Sequence, residues 1–258
     1  MPAEPDEADT DFGLGPFQRR HIAVGCCTWA LSGMHIGLFV VSGEHEPCEQ
    51  KPRGVHPFFG YRTVTDEFRL VCEDEYKIPM LGSVYMGGFL VGALAAGKLS
   101  DGVGRRRTQV GGAVWAVFSA LGFTLARDFW VHVAMRIALG ITFGGVFTLP
   151  NFILCQELIG AQHRTYFTLA MNAAFDSFLC LPILVFEFVQ SWRALAVINL
   201  VAVSLVATLC VLLEESPVWL AGQGRIADAQ GILDRMAREN GEKAMDASFL
   251  APPGSTAA

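Results

Sequence analysis

Charged side chains are scarce in this chain. Asp, Glu, Lys and Arg make up 17% of the 258 residues, whereas 52% are hydrophobic, and the mean hydropathy is +0.39. Ordinary soluble domains carry about 25% charged residues, so this composition excludes that class. A single membrane span takes about 20 residues and would account for only a small part of the apolar sequence. The composition therefore indicates a protein that crosses the membrane several times.

Six stretches are long and apolar enough to cross a bilayer. A span needs about 20 residues in a helix, because every backbone N–H and C=O must be satisfied within the segment. Four of the stretches contain no Asp, Glu, Lys or Arg: 21–41, 78–97, 108–126 and 194–213. Charge interrupts the other two, Arg136 in 129–156 and Asp176 with Glu187 in 165–189. We therefore expect an all-α multi-pass membrane protein with six transmembrane helices.

Several patterns of catalytic and metal sites are missing from the sequence. No cluster of Cys and His has zinc-site spacing, the fourth span lacks the GxSG of an intramembrane serine protease, and the sixth has no histidine to act as a base. A net charge of -6 gives no reason to expect nucleic acid, and no span carries the regular arginines of a voltage sensor. We therefore expect no enzyme, and no bound metal, cofactor or nucleic acid.

The distribution of Lys and Arg predicts the orientation of the spans. Basic residues precede the first span and follow the second, fourth and sixth, whereas the short loops on the opposite side hold only Arg127 and Arg193. The positive-inside rule then places both termini in the cytoplasm. The acidic N-terminus lacks the basic start and the cleavage site of a signal peptide, so we expect the first span to remain in the protein.

This topology divides the chain into three parts. They are a cytoplasmic tail over 1–20, a membrane domain over 21–213 with an outer loop at 43–77, and a cytoplasmic tail over 214–258. Apolar residues at helical spacing predict an amphipathic helix over 224–241. The outer loop contains Cys48 and Cys72, where oxidation is permitted, and a disulfide between them is a hypothesis that spacing alone leaves open.

The densest charge lies between the second and third spans, in GKLSDGVGRRR at 97–107. One interpretation is plain anchoring, in which the arginines at 105–107 meet anionic headgroups at about 1 kcal/mol each. That interpretation leaves Asp101 and the glycines unexplained. Gly97, Gly102 and Gly104 permit a turn of special backbone geometry, and Asp101 can accept hydrogen bonds from the next helix and pair with an arginine. The stretch therefore predicts a latch between two helices.

The same stretch resembles the signature loop of the major facilitator superfamily, G-x-L-x-D-x-x-G-R-[RK]-[RK]. Seven further stretches are similar, in order, to elements of its organic cation/anion/carnitine transporter branch: GPFQRR (15–20), GMHIGLFVVSG (33–43), TVTDEFRLVC (63–72), MRIALG (135–140), QELIGAQHRT (156–165), SWR (191–193) and ESPVWL (215–220). The resemblance covers residues 13–235 and implies the N-terminal six-helix half of a major facilitator fold. Members of this branch transport small organic ions by alternating access, and the resemblance also implies the plasma membrane.

The resemblance further implies a cytoplasmic charge network that closes the inner side in the outward-facing state. Its members would be Gly97, Asp101, Gly104, Arg105, Arg106, Arg136, Glu157, Arg164 and Glu215. Val218 stands where the family has an arginine, so this network would lack one member. The competing role for Arg136 is a site for the anionic group of a substrate.

Asp176 and Asn172, one helical turn apart in the fifth span, form the candidate substrate or proton site. A charge inside a span should face a wet cavity or a partner. Asp176 is therefore expected to attract a cationic substrate or to carry a coupling proton. The alternative is a hydrogen-bonded acid that serves packing.

Members of the branch have two six-helix halves, and the resemblance covers one of them. We therefore expect the chain to transport organic ions in the bilayer as part of a longer or dimeric carrier that includes a second six-helix half. The alternative is a truncated, non-transporting membrane protein that pairs with a full-length homologue and regulates it. Uptake by the protein expressed alone bears on the choice between them.

Overall fold

The computed structural model describes residues 13–42, 63–70, 72–243 and 245–250. Within these ranges no strand is present, and the ten α-helices in chain order are α1 (Pro16–Ser42), α2 (Val64–Phe68), α3 (Lys77–Val103), α4 (Arg105–Leu125), α5 (Phe129–Ile141), α6 (Leu149–Leu158), α7 (Ala161–Val189), α8 (Trp192–Cys210), α9 (Pro217–Gly222) and α10 (Ile226–Asn240). A π-helical segment, Thr142–Val146, lies between α5 and α6. The prediction of an all-α class is therefore confirmed.

Five segments of the described chain are long and apolar enough to cross a membrane: Cys72–Val103, Arg105–Leu125, Phe129–Leu158, Ala161–Val189 and Trp192–Cys210. α1, which includes the predicted span at 21–41, is 27 residues long but is not one of these five. It packs along α7 and α8 and buries the polar side chains of Thr28, Ser32 and His35. These polar groups therefore face neighbouring helices instead of lipid.

Two helix boundaries differ from those that the sequence predicts. α3 continues to Val103, so Gly97 and Gly102 are helical and the expected glycine turn is reduced to Gly104. α6 begins at Leu149, which places Pro150 in its first turn and not at a bend within one helix. Proline is tolerated there because the missing N–H would have no helical partner. Pro182, in contrast, lies inside α7.

Small residues allow α3 and α5 to cross in direct contact. A Cβ added to Gly92 would lie 2.1 Å from the Ile141 carbonyl oxygen, and a Cβ on Gly140 would lie 2.3 Å from the Tyr85 carbonyl oxygen. Such close backbone approach is typical of helix pairs in membranes. The crossing fixes α5, and with it Arg136, against α3.

The part of the chain after α8 folds back onto one end of the bundle. α10 lies within the predicted range 224–241 and buries an apolar face, Ala229, Ile232, Leu233, Met236 and Ala237. It also meets the start of α1, where Arg20 and Glu239 pair at 2.9 Å and the Asn240 amide donates to Gln18 Oε1 at 2.9 Å. We call this end of the bundle, which also contains the α3–α4 turn, the turn end, and the opposite end, which contains α2, the loop end.

Candidate functional site

The α3–α4 turn consists of a single residue, Gly104. Its φ of +113° is a backbone conformation that side chains disfavour. A Cβ at this position would lie 2.5 Å from Glu215 Oε2 and 3.2 Å from the Trp219 ring. Glycine therefore brings the backbone of the turn against the segment that follows α8.

Arg105 is the first residue of α4 and binds two carboxylates. Its Nη1 lies 2.6 Å from Asp101 Oδ1, its Nη2 lies 3.1 Å from Glu157 Oε1, and Nη1 also donates to the Ser100 carbonyl oxygen at 2.9 Å. The side chains of Arg105 and Glu157 are 12% and 18% exposed, whereas that of Asp101 is 72% exposed. The partly buried pair therefore joins α4 to the end of α6, and Asp101 adds a solvated contact.

Arg106 and Glu215 form the second half of this arrangement. The Arg106 backbone N–H donates to Glu215 Oε1 at 2.9 Å, and its guanidinium donates to the carbonyl oxygens of Leu213 and, at 3.1 Å, Val211. The carboxylate of Glu215 thus caps the first turn of α4, a role that the sequence suggested for Asp101. A carboxylate at a helix N-terminus is favourable because the terminal N–H groups lack helical partners.

Asp101, Arg105, Arg106, Glu157 and Glu215 therefore form one set of contacts, which we call the charge cluster. Trp219 closes it by donating from Nε1 to the Asp101 carbonyl oxygen at 2.8 Å. The cluster joins the end of α3, the start of α4, the end of α6 and the start of α9. Val218, beside Trp219, occupies the position where the resemblance leads us to expect an arginine.

Arg164 and Gly97, two residues expected in the cytoplasmic charge network, are not part of the charge cluster at the turn end. Arg164 is exposed, and in the described part of the chain no carboxylate lies within 4 Å of its guanidinium. Gly97 lies inside α3, where an added Cβ would meet no atom within 4 Å. The side chain of Arg164 and the missing side chain of Gly97 therefore play no part in the contacts described above.

Arg136 does not join the charge cluster, and its expected membership is corrected. It precedes Glu157 by 21 residues along α5 and α6, a rise of about 30 Å at 1.5 Å per residue. Its side chain is 2% exposed, and its Nε donates to His132 Nε2 at 3.1 Å. The guanidinium also lies 5.5 Å from the centre of the Phe123 ring. Arg136 therefore belongs to the interior of the bundle toward the loop end.

Three buried side chains near Arg136 complete an interior polar group. His35 on α1 lies 5.4 Å from the Tyr85 ring of α3, measured between centroids, and His132 is fully buried. His35 Nδ1, Tyr85 Oη and His132 Nδ1 have no hydrogen-bond partner among the described residues. Sequence reasoning missed these three residues, although histidines within apolar spans are a signal that could have found them.

A second ion pair, which the sequence did not predict, lies at the loop end. The Arg193 guanidinium binds the carboxylate of Glu67, with Nε to Oε2 at 3.0 Å, and also the Thr124 carbonyl oxygen at 2.5 Å. Trp192 Nε1 donates to Glu67 Oε2 at 3.0 Å. Both side chains of the pair are largely buried, at 21% and 13% exposed. The pair therefore fixes the short helix α2 to the start of α8.

Asp176 and Asn172 are both exposed on α7. Asn172 donates from Nδ2 to the Thr168 carbonyl oxygen in its own helix at 2.8 Å. Among the described residues no basic group lies within 4 Å of the Asp176 carboxylate. The two residues thus share one accessible face, and nothing in the described chain encloses them as a site.

Two further expectations concern covalent and metal chemistry. The hypothesised Cys48–Cys72 pair falls outside the described residues, because Cys48 does. In the described ranges, no three His, Cys, Asp or Glu side chains are grouped so that they could hold a metal ion.

Apolar helices of membrane length, a one-residue glycine turn and the charge cluster beside it together define a polytopic membrane protein of the major facilitator type. The family described as sugar (and other) transporter matches residues 39–249, which is more than half of the chain. The chain belongs to this family and is an integral membrane protein.

Its relatives include organic cation transporters. Solute carrier family 22 member 15-like of Xenopus laevis is 28% identical over 203 residues, which cover 79% of this chain and 42% of that protein. Human organic cation/carnitine transporter 2 is 32% identical over 193 residues, covering 69% of this chain and 32% of the relative. The chain therefore spans less than half the length of these relatives.

The fold agrees with solved structures of the same superfamily. The proton:xylose symporter XylE, a major facilitator superfamily protein, superposes with a TM-score of 0.72 at 17% identity, over 91% of this chain and 52% of the symporter chain. A partially occluded inward-open structure of XylE from E. coli gives a TM-score of 0.68 at 18% identity. This likeness shows the fold alone. Nearly all of this chain superposes on about half of the XylE chain.

Proposed function

We propose that the chain is the N-terminal six-helix half of a carrier that moves small organic ions across a membrane by alternating access. The substrate class follows the names of its relatives, which include organic cation/carnitine transporters. The mechanism follows from the half-length match, since carriers of this type rock two halves about a central substrate. In this proposal both termini are cytoplasmic, the membrane is the plasma membrane, and the protein is not an enzyme.

The charge cluster is the observation that carries this proposal. Its contacts join residues that lie 52 and 109 positions apart in sequence, Arg105 with Glu157 and Arg106 with Glu215. They make the turn end of the bundle one connected unit. An end that must close and open during transport needs such a set of contacts, because a few ion pairs can form in one state and break in another.

The exposed faces of α3 and α7 support the presence of a second half. Leu90 and Leu94 of α3 are 62% and 69% exposed, and Leu169 and Leu184 of α7 are each 62% exposed. A second half packed on α7 would enclose Asn172 and Asp176, which are otherwise open. The candidate substrate or proton site then lies between the two halves, where carriers of this type bind their substrates.

Uptake into proteoliposomes tests the proposal. The complete reading frame that contains this chain, purified and reconstituted, should take up radiolabelled carnitine or tetraethylammonium above empty liposomes. Glu157→Gln should reduce uptake severalfold, because it breaks the contact between α4 and α6, whereas Glu73→Gln, an exposed acid at the loop end, should leave uptake unchanged. No uptake of either probe by a folded, correctly inserted full-length protein would contradict the proposal.

The competing function is a truncated protein that regulates a full-length homologue. It predicts that this chain, co-expressed with an active homologue, changes the uptake of that homologue and adds none of its own. Sequencing of full-length transcripts across the codon for Ala258 should come first, because it distinguishes the two proposed functions. A reading frame that continues through six more spans supports the carrier, and a stop codon supports the regulator.

A further inference from the structure

A charged cavity lies beside the charge cluster at the turn end of the bundle. Its volume is about 210 Å³, and it is formed between the first turn of α4 and the start of α10. The charged lining consists of four arginines and two acids: Arg106, Arg107, Arg225, Arg235, Glu215 and Asp228. Four positive and two negative side chains give the lining a formal charge of +2. This net charge favours an anion over a cation as the occupant.

The acids of the cavity are already engaged by the protein. Glu215 Oε1 accepts from the backbone N–H groups of Arg106 and Ser216, at 2.9 and 3.1 Å. Asp228 pairs with Arg225 at 2.7 Å, and Arg235 pairs at 3.1 Å with Glu214, which lies outside the lining. Arg107 is exposed, and within the described chain no carboxylate lies within 4 Å of it. Arg107, a lining arginine for which no such partner is present in the described chain, can therefore bind an anion with several oxygens, such as a phosphate group, beside three further guanidinium groups.

Exposed apolar side chains at the end of α8 lie close to Arg106, which lines the cavity. Val211 and Leu212, at the end of α8, are each 57% exposed, and Arg106 Nη2 binds the Val211 carbonyl oxygen. A phosphate held by the arginines thus lies beside side chains that acyl chains can cover. A phosphate free in water gains nothing from these apolar neighbours, whereas a phospholipid buries them.

We propose that this cavity binds the phosphate group of an anionic phospholipid from the leaflet at the turn end. The headgroup contacts the first turn of α4 and the start of α10 together, so a bound lipid ties a membrane span to the tail helix. The cavity shares Arg106 and Glu215 with the charge cluster, but lipid binding to the isolated chain can be measured whether or not the chain belongs to a carrier.

Binding of a short-chain lipid to the purified full chain tests the inference. Dioctanoyl phosphatidic acid should bind in detergent solution, measured by microscale thermophoresis, more tightly than dioctanoyl phosphatidylcholine. Arg107→Gln should weaken binding about fivefold and the double variant Arg107→Gln, Arg225→Gln about 25-fold, from the usual attraction of one basic side chain to an anionic lipid surface. Arg238→Gln is the matched control, because Arg238 is an exposed arginine of α10 that lies outside the cavity lining.

Three results would overturn the proposal. Equal affinities of the Arg107 and Arg238 variants would show that the cavity does not select the lipid, and equal affinity for phosphatidylcholine would remove the need for an anion. Displacement of the lipid by inorganic phosphate at a similar concentration would identify a free-phosphate site. Because Arg107 is exposed, the single variant should fold even if the double variant does not.

Discussion

At the scale of single residues, the α3–α4 turn depends on one glycine. Gly104→Ala would place a methyl group 2.5 Å from Glu215 Oε2 in a backbone conformation with φ +113°. We expect a loss of about 1–3 kcal/mol, the usual cost of such a conformation for a side chain, and a lower Tm in detergent. Gly102→Ala is the control, since Gly102 is helical with open space around it, and should keep or slightly raise the Tm. Equal Tm values for the two variants would refute this account of the turn.

The two carboxylates bound by Arg105 should contribute unequally to the free energy of unfolding. Glu157→Gln leaves the partly buried guanidinium without its best partner and should cost about 2–3 kcal/mol, somewhat less than for a fully buried pair. Asp101→Asn should cost less than about 1 kcal/mol, because that carboxylate is 72% exposed. Thermal unfolding of both variants under one condition gives the comparison. A larger loss of stability for Asp101→Asn would contradict this prediction, because it would make Asp101 and not Glu157 the main partner of Arg105.

At the scale of elements, Glu67 joins α2 to the start of α8 at the loop end, beside the packing of Phe68 on Phe129. Glu67→Gln removes the charge that Arg193 binds and weakens the bond from Trp192, so the helix should open more often. Hydrogen exchange should therefore become faster in α2 and at the start of α8, by about tenfold for a loss of 1.4 kcal/mol. Exchange in α10, at the other end of the bundle, should not change. Glu73→Gln, an exposed acid nearby, should leave α2 as in the native protein.

Hydropathy and turn chemistry predicted the class of fold and most of the elements, because a bilayer leaves few ways to satisfy a backbone. The boundaries were less predictable. The glycines at 97–107 suggested a turn that includes Gly97 and Gly102, but α3 continues to Val103, and Asp101 near its end is bound by Arg105 of α4 and Trp219 of α9. The break before α6 was not predicted as a helix boundary, although Pro150 and the glycines at 144 and 145 are a local signal for a bend there. The packing of the π-helical segment Thr142–Val146 against α3 has no such signal.

The candidate site was predicted in part for the same reason. Asp101, Arg105, Glu157 and Glu215 lie near the ends of helices, where a motif fixes position well. Arg136 was assigned to the charge cluster from the resemblance alone, and counting residues along α5 and α6 would already have placed it about 30 Å away. The bond between Arg136 and His132 is local to α5, at i, i+4 spacing, and could have been read from the sequence, whereas the contact of His35 with Tyr85 depends on how α1 packs on α3.

At the scale of the whole molecule, the two ends of the bundle differ in their number of basic residues, and this difference predicts the topology. Arg20, the arginines at the start of α4 and the basic residues of α10 lie at the turn end, whereas the short loops of the sequence at the loop end hold only Arg127 and Arg193. The positive-inside rule counts Lys and Arg whether or not an acid pairs with them, so we expect the turn end and both termini to face the cytoplasm.

Epitope tags test this topology directly. A tag before Met1 and a second tag after Ala258, in separate cell lines, should bind antibody only after the cells are permeabilised. A tag inserted in the 43–62 segment should bind in intact cells, because an odd number of spans separates it from either terminus in the six-span arrangement. Staining of both terminal tags in intact cells would show that the orientation is the opposite one. Staining of only one terminus would mean that α1 or another helix does not span the membrane.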